Sequence, residues 1–450
     1  MKKVRIGCGA GCSRDRIEPS EDMLKYGNVD YLVFETLSES SFSANQLHKY
    51  HNPDEGYNEM LEERMRRILP LAYEKRTKII TNMGSANPIA AFEKVANIAC
   101  ELGLKGLTIA MIEGDDILDK INHLNQLEGI RNNSILADDV NDKIIYANVY
   151  LGANPILEAL EQGADVIITG RVADPSLFVG PLMYEFGWHQ DDLTEMGQAT
   201  LLGHLLECCG QVTGGYYAHP GYKEVNNLAH LGHPIAEISE TGEFIITKLE
   251  GTGGEVSLGT CKEQLLYEIG DPSCYITPDA IIDLTGVCLK QLEKDIVQVY
   301  GAVSVGIPET LKVNVGYHDG YLFNGEVCFA GADSLQLAQL CGEIIRERME
   351  IIGVSPIALR MDFVGYNSLC LSTVSNHYAP EKLSEVRLRV AVHLAAEEDA
   401  ILLSREMGFL YTNGPAGSSG VRTDFKKKIK ITPLFIPANE IRTQVLYKTV

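Results

Sequence analysis

Through the first 190 residues, short apolar runs of β character alternate with stretches of helical period. No other feature constrains the fold as much. The runs are "VRIGCG" (4–9), "YLVFET" (31–36), "KIITNM" (78–83), "GLTIAMI" (106–112), "IIYANVY" (144–150) and "DVIITG" (165–170), with helical periods at 58–72, 88–102 and 154–162 between them. Strands apolar on both faces must be covered on both sides, and a parallel sheet between helix layers provides this. The pattern predicts an α/β fold with a doubly wound, Rossmann-like and mostly parallel N-terminal sheet, a barrel being the alternative closure.

A helix is expected over 195–210, and the grain changes past residue 235. Strand-like pieces at 244–248, 280–284, 296–300, 311–317 and 326–330 come without regular helices between them. A helix over 334–350, strands over 358–364 and 386–394 and a helix over 396–409 follow. This predicts an α+β C-terminal half with an antiparallel or mixed sheet, and domains over 1–235 and 236–450. The Asp-Gly of "YHDGY" (317–321) reads as a hairpin turn, and "FKKKIK" (425–430) as a solvated edge or an interface.

The 450 residues, 45% of them hydrophobic, suit a globular chain of two or three domains. No run nears the roughly 18 apolar residues of a membrane span, and "MKKVRIGCGAGCS" lacks the apolar segment of a secretory signal. A cytoplasmic protein is expected. With 39 basic against 61 acidic residues the net charge is −22. Such a surface repels nucleic acid and anionic membranes, yet allows a small anionic metabolite a local cationic pocket. Eleven cysteines without a Cys-x-x-Cys pair read as reduced, buried thiols. Cys8 and Cys12 have no third cysteine nearby to hold an iron–sulfur cluster.

Ligands of open α/β sheets bind at the carboxyl ends of the strands, and small, polar and charged residues gather there. "GCGAGCS" supplies Gly9, Gly11 and Ser13, whose backbone amides can approach a phosphate or carboxylate. Its spacing departs from the dinucleotide fingerprint, although Glu35 ends the second strand where a ribose-binding acid would sit. "TNMGSANP" supplies Asn82, Gly84, Ser85 and Asn87, with Asn87 equally suited to cap a helix beginning at Pro88. "IEGDDIL" crowds Glu113, Asp115 and Asp116, which suits a general base or a divalent ion such as Mg²⁺. Alternatively, Asp115 or Asp116 caps a helix over 116–124. "TGRVADPS" brings Thr169, Gly170, Arg171 and Asp174, with Asn148 at the end of the neighbouring run. Arg171 can grip a carboxylate with two parallel hydrogen bonds or pair with Asp174 inside its loop.

Further along, "GTGGEVS" (251–257) after Lys248 and "NGPAGSSG" (413–420) before Arg422 are turns or phosphate cradles. His204 lies on an apolar helix face and reads as core. His230 and His233 offer a metal two rings, but no carboxylate or cysteine stands at ligand spacing beside them.

Those strand ends, with "ANVYLGANPILEALEQGADVIITGRVADPSL", "GHLLECCGQVTGG", "HPGYKEV", "TKLEGTGGEVS", "EQLLYEIGDPSCYITPD" and "PETLKVNVGYHDGY", carry a resemblance to the acyclic terpene utilisation (AtuA) family nearly end to end. The resemblance implies a setting in which acyclic terpenes are degraded through carboxylated acyl-CoA intermediates. Longer members look as if they carry a further small C-terminal domain, which here implies a separate small partner subunit.

Residues and resemblance together lead to an expected enzyme acting on a small carboxylic acid or acyl-CoA thioester, a hydratase or dehydratase of the lyase class. In it Arg171 clamps a carboxylate, Asp115 or Asp116 acts as base or holds Mg²⁺ with Glu113, and Asp174 assists. The remaining strand-end residues bind substrate. A homo-oligomer is expected. The competing readings are a nicotinamide-dependent oxidoreductase, and a non-catalytic binding or scaffold subunit completed by its partner.

Overall fold

The computed structural model describes residues 2–120, 143–369 and 383–450. The chain forms two compact units. The first holds the described residues up to 315 together with 432–450; the second holds those between 316 and 431, with Lys143 and Ile144.

The first unit opens with β1 (Lys3–Gly11), α1 (Glu18–Tyr26), β2 (Tyr31–Glu35), α2 (Glu39–His51), α3 (Leu61–Lys75), β3 (Lys78–Thr81), α4 (Pro88–Glu101) and β4 (Thr108–Glu113). Next come β5 (Ile144–Val149), α5 (Asn154–Glu161), β6 (Val166–Thr169), α6 (Ser176–Phe186), α7 (Leu193–Glu207), β7 (Pro234–Ser239) and β8 (Phe244–Lys248). It continues through α8 (Leu258–Leu266), β9 (Tyr275–Ile276), β10 (Ile281–Asp283), β11 (Cys288–Glu293), β12 (Ile296–Tyr300) and β13 (Val303–Gly306) into β14 (Thr310–Ala330). The second unit adds α9 (Ser334–Ile351), β15 (Ala358–Val364), β16 (Glu385–Leu394) and α10 (Glu397–Asn413). The chain then returns along β17 (Ser419–Pro437) to β18 (Gln444–Thr449).

The large sheet is mixed, in the order β11-β12-β8-β7-β1-β2-β3-β6-β4-β18. Its centre, β1-β2-β3-β6-β4, is parallel. The flanking strands β7, β8, β12, β11 and β18 are antiparallel to their neighbours. A strand buried on both faces shows its period of two as two separate cores. Leu32 and Phe34 of β2 pack with Leu61, Met65 and Ile68 of α3 and Val95 and Ile98 of α4. Tyr31 and Val33 are equally buried but face away from that cluster, where α6 contacts β2. A smaller sheet runs β13-β10-β9.

In the second unit the order is β15-β16-β14-β17, with β16 antiparallel to both β14 and β15. Alternate residues Val386, Leu388, Val390 and Val392 meet Cys341 and Ile345 of α9 and Leu403 and Met407 of α10. Among the described residues, no helix is long and apolar enough to cross a membrane.

Four expectations need correcting. The boundary at 235/236 falls inside the large sheet, because β7 and β8 extend it from β1; the division lies at 315/316. β5 does not join the parallel strands and pairs with β14 instead. "YHDGY" makes no hairpin turn: it lies within the single strand β14, where Gly320 takes φ of 76°. The ten described cysteines are free, but Cys12, Cys100, Cys274 and Cys288 are exposed; Cys370 lies outside the described residues.

Candidate active site

Beyond β6 the chain turns through Gly170, and a side chain there would meet resistance. A Cβ would sit 2.7 Å from the Asp115 carboxylate oxygens. Glycine lets that carboxylate lie against the backbone, where Oδ2 accepts from Arg171 N at 2.9 Å and Asn148 Nδ2 at 2.8 Å. Asn148 ends β5, and its Oδ1 accepts from Gln46 Nε2 of α2 at 3.1 Å. One acid thus ties together four chain segments. Asp115 is 3% exposed, and burial, with Asp116 close by, pushes its carboxyl up to about 6.

Asp116, in contrast, is exposed. Its Oδ1 accepts from Leu118 N at 3.1 Å, opening a single 3₁₀ turn at Leu118–Lys120, and Lys49 Nζ lies 3.6 Å from its Oδ2. The remainder of the helix expected over 116–124 lies outside the described residues. Glu113, Asp115 and Asp116 line a cavity of about 490 Å³ with Lys49 and Arg442, so cations of the protein already face the acidic group.

Arg171 is 3% exposed. Nη1 donates to Leu37 O at 3.3 Å, Nη2 donates to the Tyr150 hydroxyl, and Nε has no partner. Its ion pair is with Glu39 at 3.6 Å, at the start of α2, so the loop pair with Asp174 is not the one formed. The guanidinium stacks 4.1 Å from the centre of the Tyr150 ring, and Lys312 Nζ lies 4.8 Å from it. The Tyr150 hydroxyl also accepts from Asn314 Nδ2 at 3.0 Å and donates to Glu39 Oε1 at 3.0 Å.

Besides Glu39, Glu35 and Asp174 feel the charge of this arginine, and Glu207 lies close to Asp174. Glu35 Oε1 accepts from Leu37 N at 2.6 Å and Asn82 Nδ2 at 3.0 Å, and burial pushes the group up to about 7. Asp174 is held well above the usual carboxylate range by burial and then by Glu35, with Arg171 opposing and Glu207 adding to the rise. Asp174 Oδ1 and Glu207 Oε2 are both sealed from solvent without a hydrogen-bond partner. The other Glu207 oxygen meets His204 Nδ1 at 2.9 Å, and His204 Nε2 lies 3.2 Å from Leu265 O. Burial, the largest single influence, works against a charged His204 ring, but the bond to Glu207, its charge and the Leu265 and Gln264 backbone together outweigh it and raise the pKa. Asp174, Glu207, His204, Tyr150, Tyr275 and Lys312 line one cavity of about 420 Å³ in the first unit.

Several expected ligand residues have structural partners. Asn87 caps α4, accepting from Ala90 N, and its amide donates to Pro53 O and Glu55 O at 2.7 and 2.6 Å. Ser85 Oγ accepts from Asn45 Nδ2 at 2.8 Å, and Ser13 Oγ from Asn58 Nδ2 at 3.0 Å. Thr169 Oγ1 donates to Gly170 O at 3.0 Å, and Asn82 Oδ1 accepts from Thr36 N at 2.8 Å. Gly9, Gly11 and Gly84 are crowded by the Phe34 ring, the Cys208 backbone and Thr169 O, each within 2.5 Å of where a Cβ would be. Lys248 Nζ donates to Thr252 O at 3.0 Å within its own turn and faces Asp295 of the β11–β12 turn.

Sequence reasoning passed over Glu39, Tyr150, Glu207, Tyr275 and Lys312, and placed His204 in the core. The readable signal was Glu207 at i+3 from His204, a polar pair on an otherwise apolar helix.

The acyclic terpene utilisation family protein AtuA model matches residues 4–447, and the chain belongs to that family. Comparison with curated proteins and with solved structures gave no match.

Proposed function

We propose that this member of the acyclic terpene utilisation family is a lyase of the hydratase and dehydratase type, acting on a small carboxylic acid or an acyl-CoA thioester. The observation that carries the reading is the sealed, unpartnered oxygen of Asp174 at a cavity that also holds Glu207, His204 and Lys312. Buried polar atoms are nearly always paired, so an orphaned carboxyl oxygen beside a cavity fits a group that meets its partner in the substrate.

Eliminating water from a β-hydroxy acyl group needs a base for the α-proton and an acid for the departing hydroxyl. Burial and its acidic neighbours favour the neutral form of Asp174, and in this reading it donates the proton that leaves with the hydroxyl as water. Glu207, oriented by His204, takes the α-proton through its free oxygen. The reverse steps add water. Lys312 is half-exposed at the cavity and is the cation for a substrate carboxylate. Both Nη groups of Arg171 are engaged by Leu37, Tyr150 and Glu39. In this reading Arg171 fixes Tyr150 and balances the acids, and Asp115 anchors the Arg171 turn.

The test is turnover of the full chain on CoA thioesters of 3-hydroxy and 2,3-unsaturated dicarboxylic acids, followed by the absorbance of the conjugated enoyl product. Asp174→Asn should lower kcat by about 10²–10⁴-fold with an unchanged melting temperature. Lys312→Ala should raise KM more than it lowers kcat. Wild-type turnover in Asp174→Asn removes the assignment.

A further inference from the structure

His233 has acid and thiol neighbours that its sequence surroundings do not show. Asp15 follows β1, Cys209 follows α7 and His233 precedes β7, yet one donor atom from each lies within 4.8 Å of the others. We propose that these three residues form a divalent-metal site of the zinc type.

The ligand chemistry is a thiolate, an imidazole and a carboxylate, the mixed set that borderline Zn²⁺ accepts. The spacing points to a shared ion in place of direct contact. Asp15 Oδ1 and His233 Nε2 are 3.8 Å apart, beyond hydrogen-bond reach. Bonds of about 2.0–2.3 Å in a tetrahedron put neighbouring ligands roughly 3.3–3.8 Å apart. His233 is 3% exposed and presents Nε2 toward Asp15, the ring nitrogen offered to the ion, while its Nδ1 has no hydrogen-bond partner.

The supporting contacts fit. Asp15 is held by Gly11 N on Oδ2 at 3.0 Å and Arg16 N on Oδ1 at 2.9 Å. Cys209 Sγ donates to Cys8 O at 3.2 Å; on binding, that proton leaves to solvent and the sulfur takes the metal. Arg64, fully buried, donates to Asp15 O at 2.9 Å, so two anionic ligands, Arg64 and a dication sum to one positive charge. A cavity of about 590 Å³ reaches His233 beside Arg16 and His230. Three protein ligands and an open approach leave a fourth position for water or an exogenous ligand.

The test uses the full chain, freed of metal by a chelator and titrated with Co²⁺. One equivalent should produce tetrahedral ligand-field absorption and a thiolate charge-transfer band, and Zn²⁺ should displace both. Cys209→Ser should abolish the charge-transfer band. Asp15→Asn, a near-isosteric change, should weaken binding at least about 10-fold. Folded wild-type protein that takes up neither Co²⁺ nor Zn²⁺ stoichiometrically overturns the proposal, as does a charge-transfer band that persists in Cys209→Ser. Should the serine variant fail to fold, Asp15→Asn and His233→Gln decide, and undiminished affinity in both overturns it. None of the three ligands lines the Asp174 cavity, so metal uptake and turnover report on the two sites separately.

Discussion

Asp115→Asn removes a charge from beneath the Arg171 turn and changes little else, because the amide oxygen can accept from both Arg171 N and Asn148 Nδ2. The wild-type carboxyl is raised to about 6 in the fold, against about 3.9 in an unfolded chain. Between those values the folded state binds more protons than the unfolded state. The contribution of Asp115 to stability is therefore complete below about pH 4 and is lost as pH rises through 6. The loss amounts to about 3 kcal/mol. The variant has no such loss, so its stability relative to wild type should rise by up to about 3 kcal/mol between pH 4 and pH 8. For a unit of this size that is roughly 3–6 °C in melting temperature. Calorimetry of both proteins across this range reads the difference, which cancels the many other carboxylates. A pH-independent difference, or one that falls with pH, would refute the assignment of a buried, desolvated acid.

Other substitutions probe neighbouring contacts. Gly170→Ala drives a methyl group onto the Asp115 carboxylate and should cost about 1–3 kcal/mol, read by urea unfolding at pH 7. Tyr150→Phe leaves Arg171 Nη2 and Asn314 Nδ2 without their acceptor and should destabilise by about 1–3 kcal/mol, with the loss confined to the first unit in hydrogen exchange. Asn87→Ala removes the α4 cap and both amide donations to the 53–55 loop. The cap alone is worth about 1–2 kcal/mol, and faster proteolysis between Pro53 and Glu55 should accompany its loss.

The legible part of the fold was the part written in hydrophobic period. β2, β3 and β6 announce themselves because buried parallel strands leave no room for polar residues. β5 carries the same apolar signature, yet its partner is β14, since period records burial and says nothing of pairing. α2 was invisible because, Phe42 aside, the residues it turns inward are polar: Ser43, Asn45 and Gln46 are buried, and Gln46 serves Asn148. Its start was marked only by Ser38, whose side chain accepts from Ser41 N. The strand-end rule singled out Glu35, Asp115, Arg171 and Asp174 as candidates. It could not reach Glu207, Tyr275 or Lys312, which come from a helix, a two-residue strand and β14 and are brought there by the tertiary fold alone.

The strand that closes the β4 edge has a consequence for synthesis. β4 gains β6 as a neighbour soon after it is made, but β18 comes about 330 residues after β4. At translation rates of about 5–20 residues per second, the growing chain carries an unpaired sheet edge for roughly 15–65 s. The whole inserted unit of residues 316–431 is completed within that interval. An open edge is a template for pairing with another nascent chain. The strand β18 is thus a molecular clasp that fastens late.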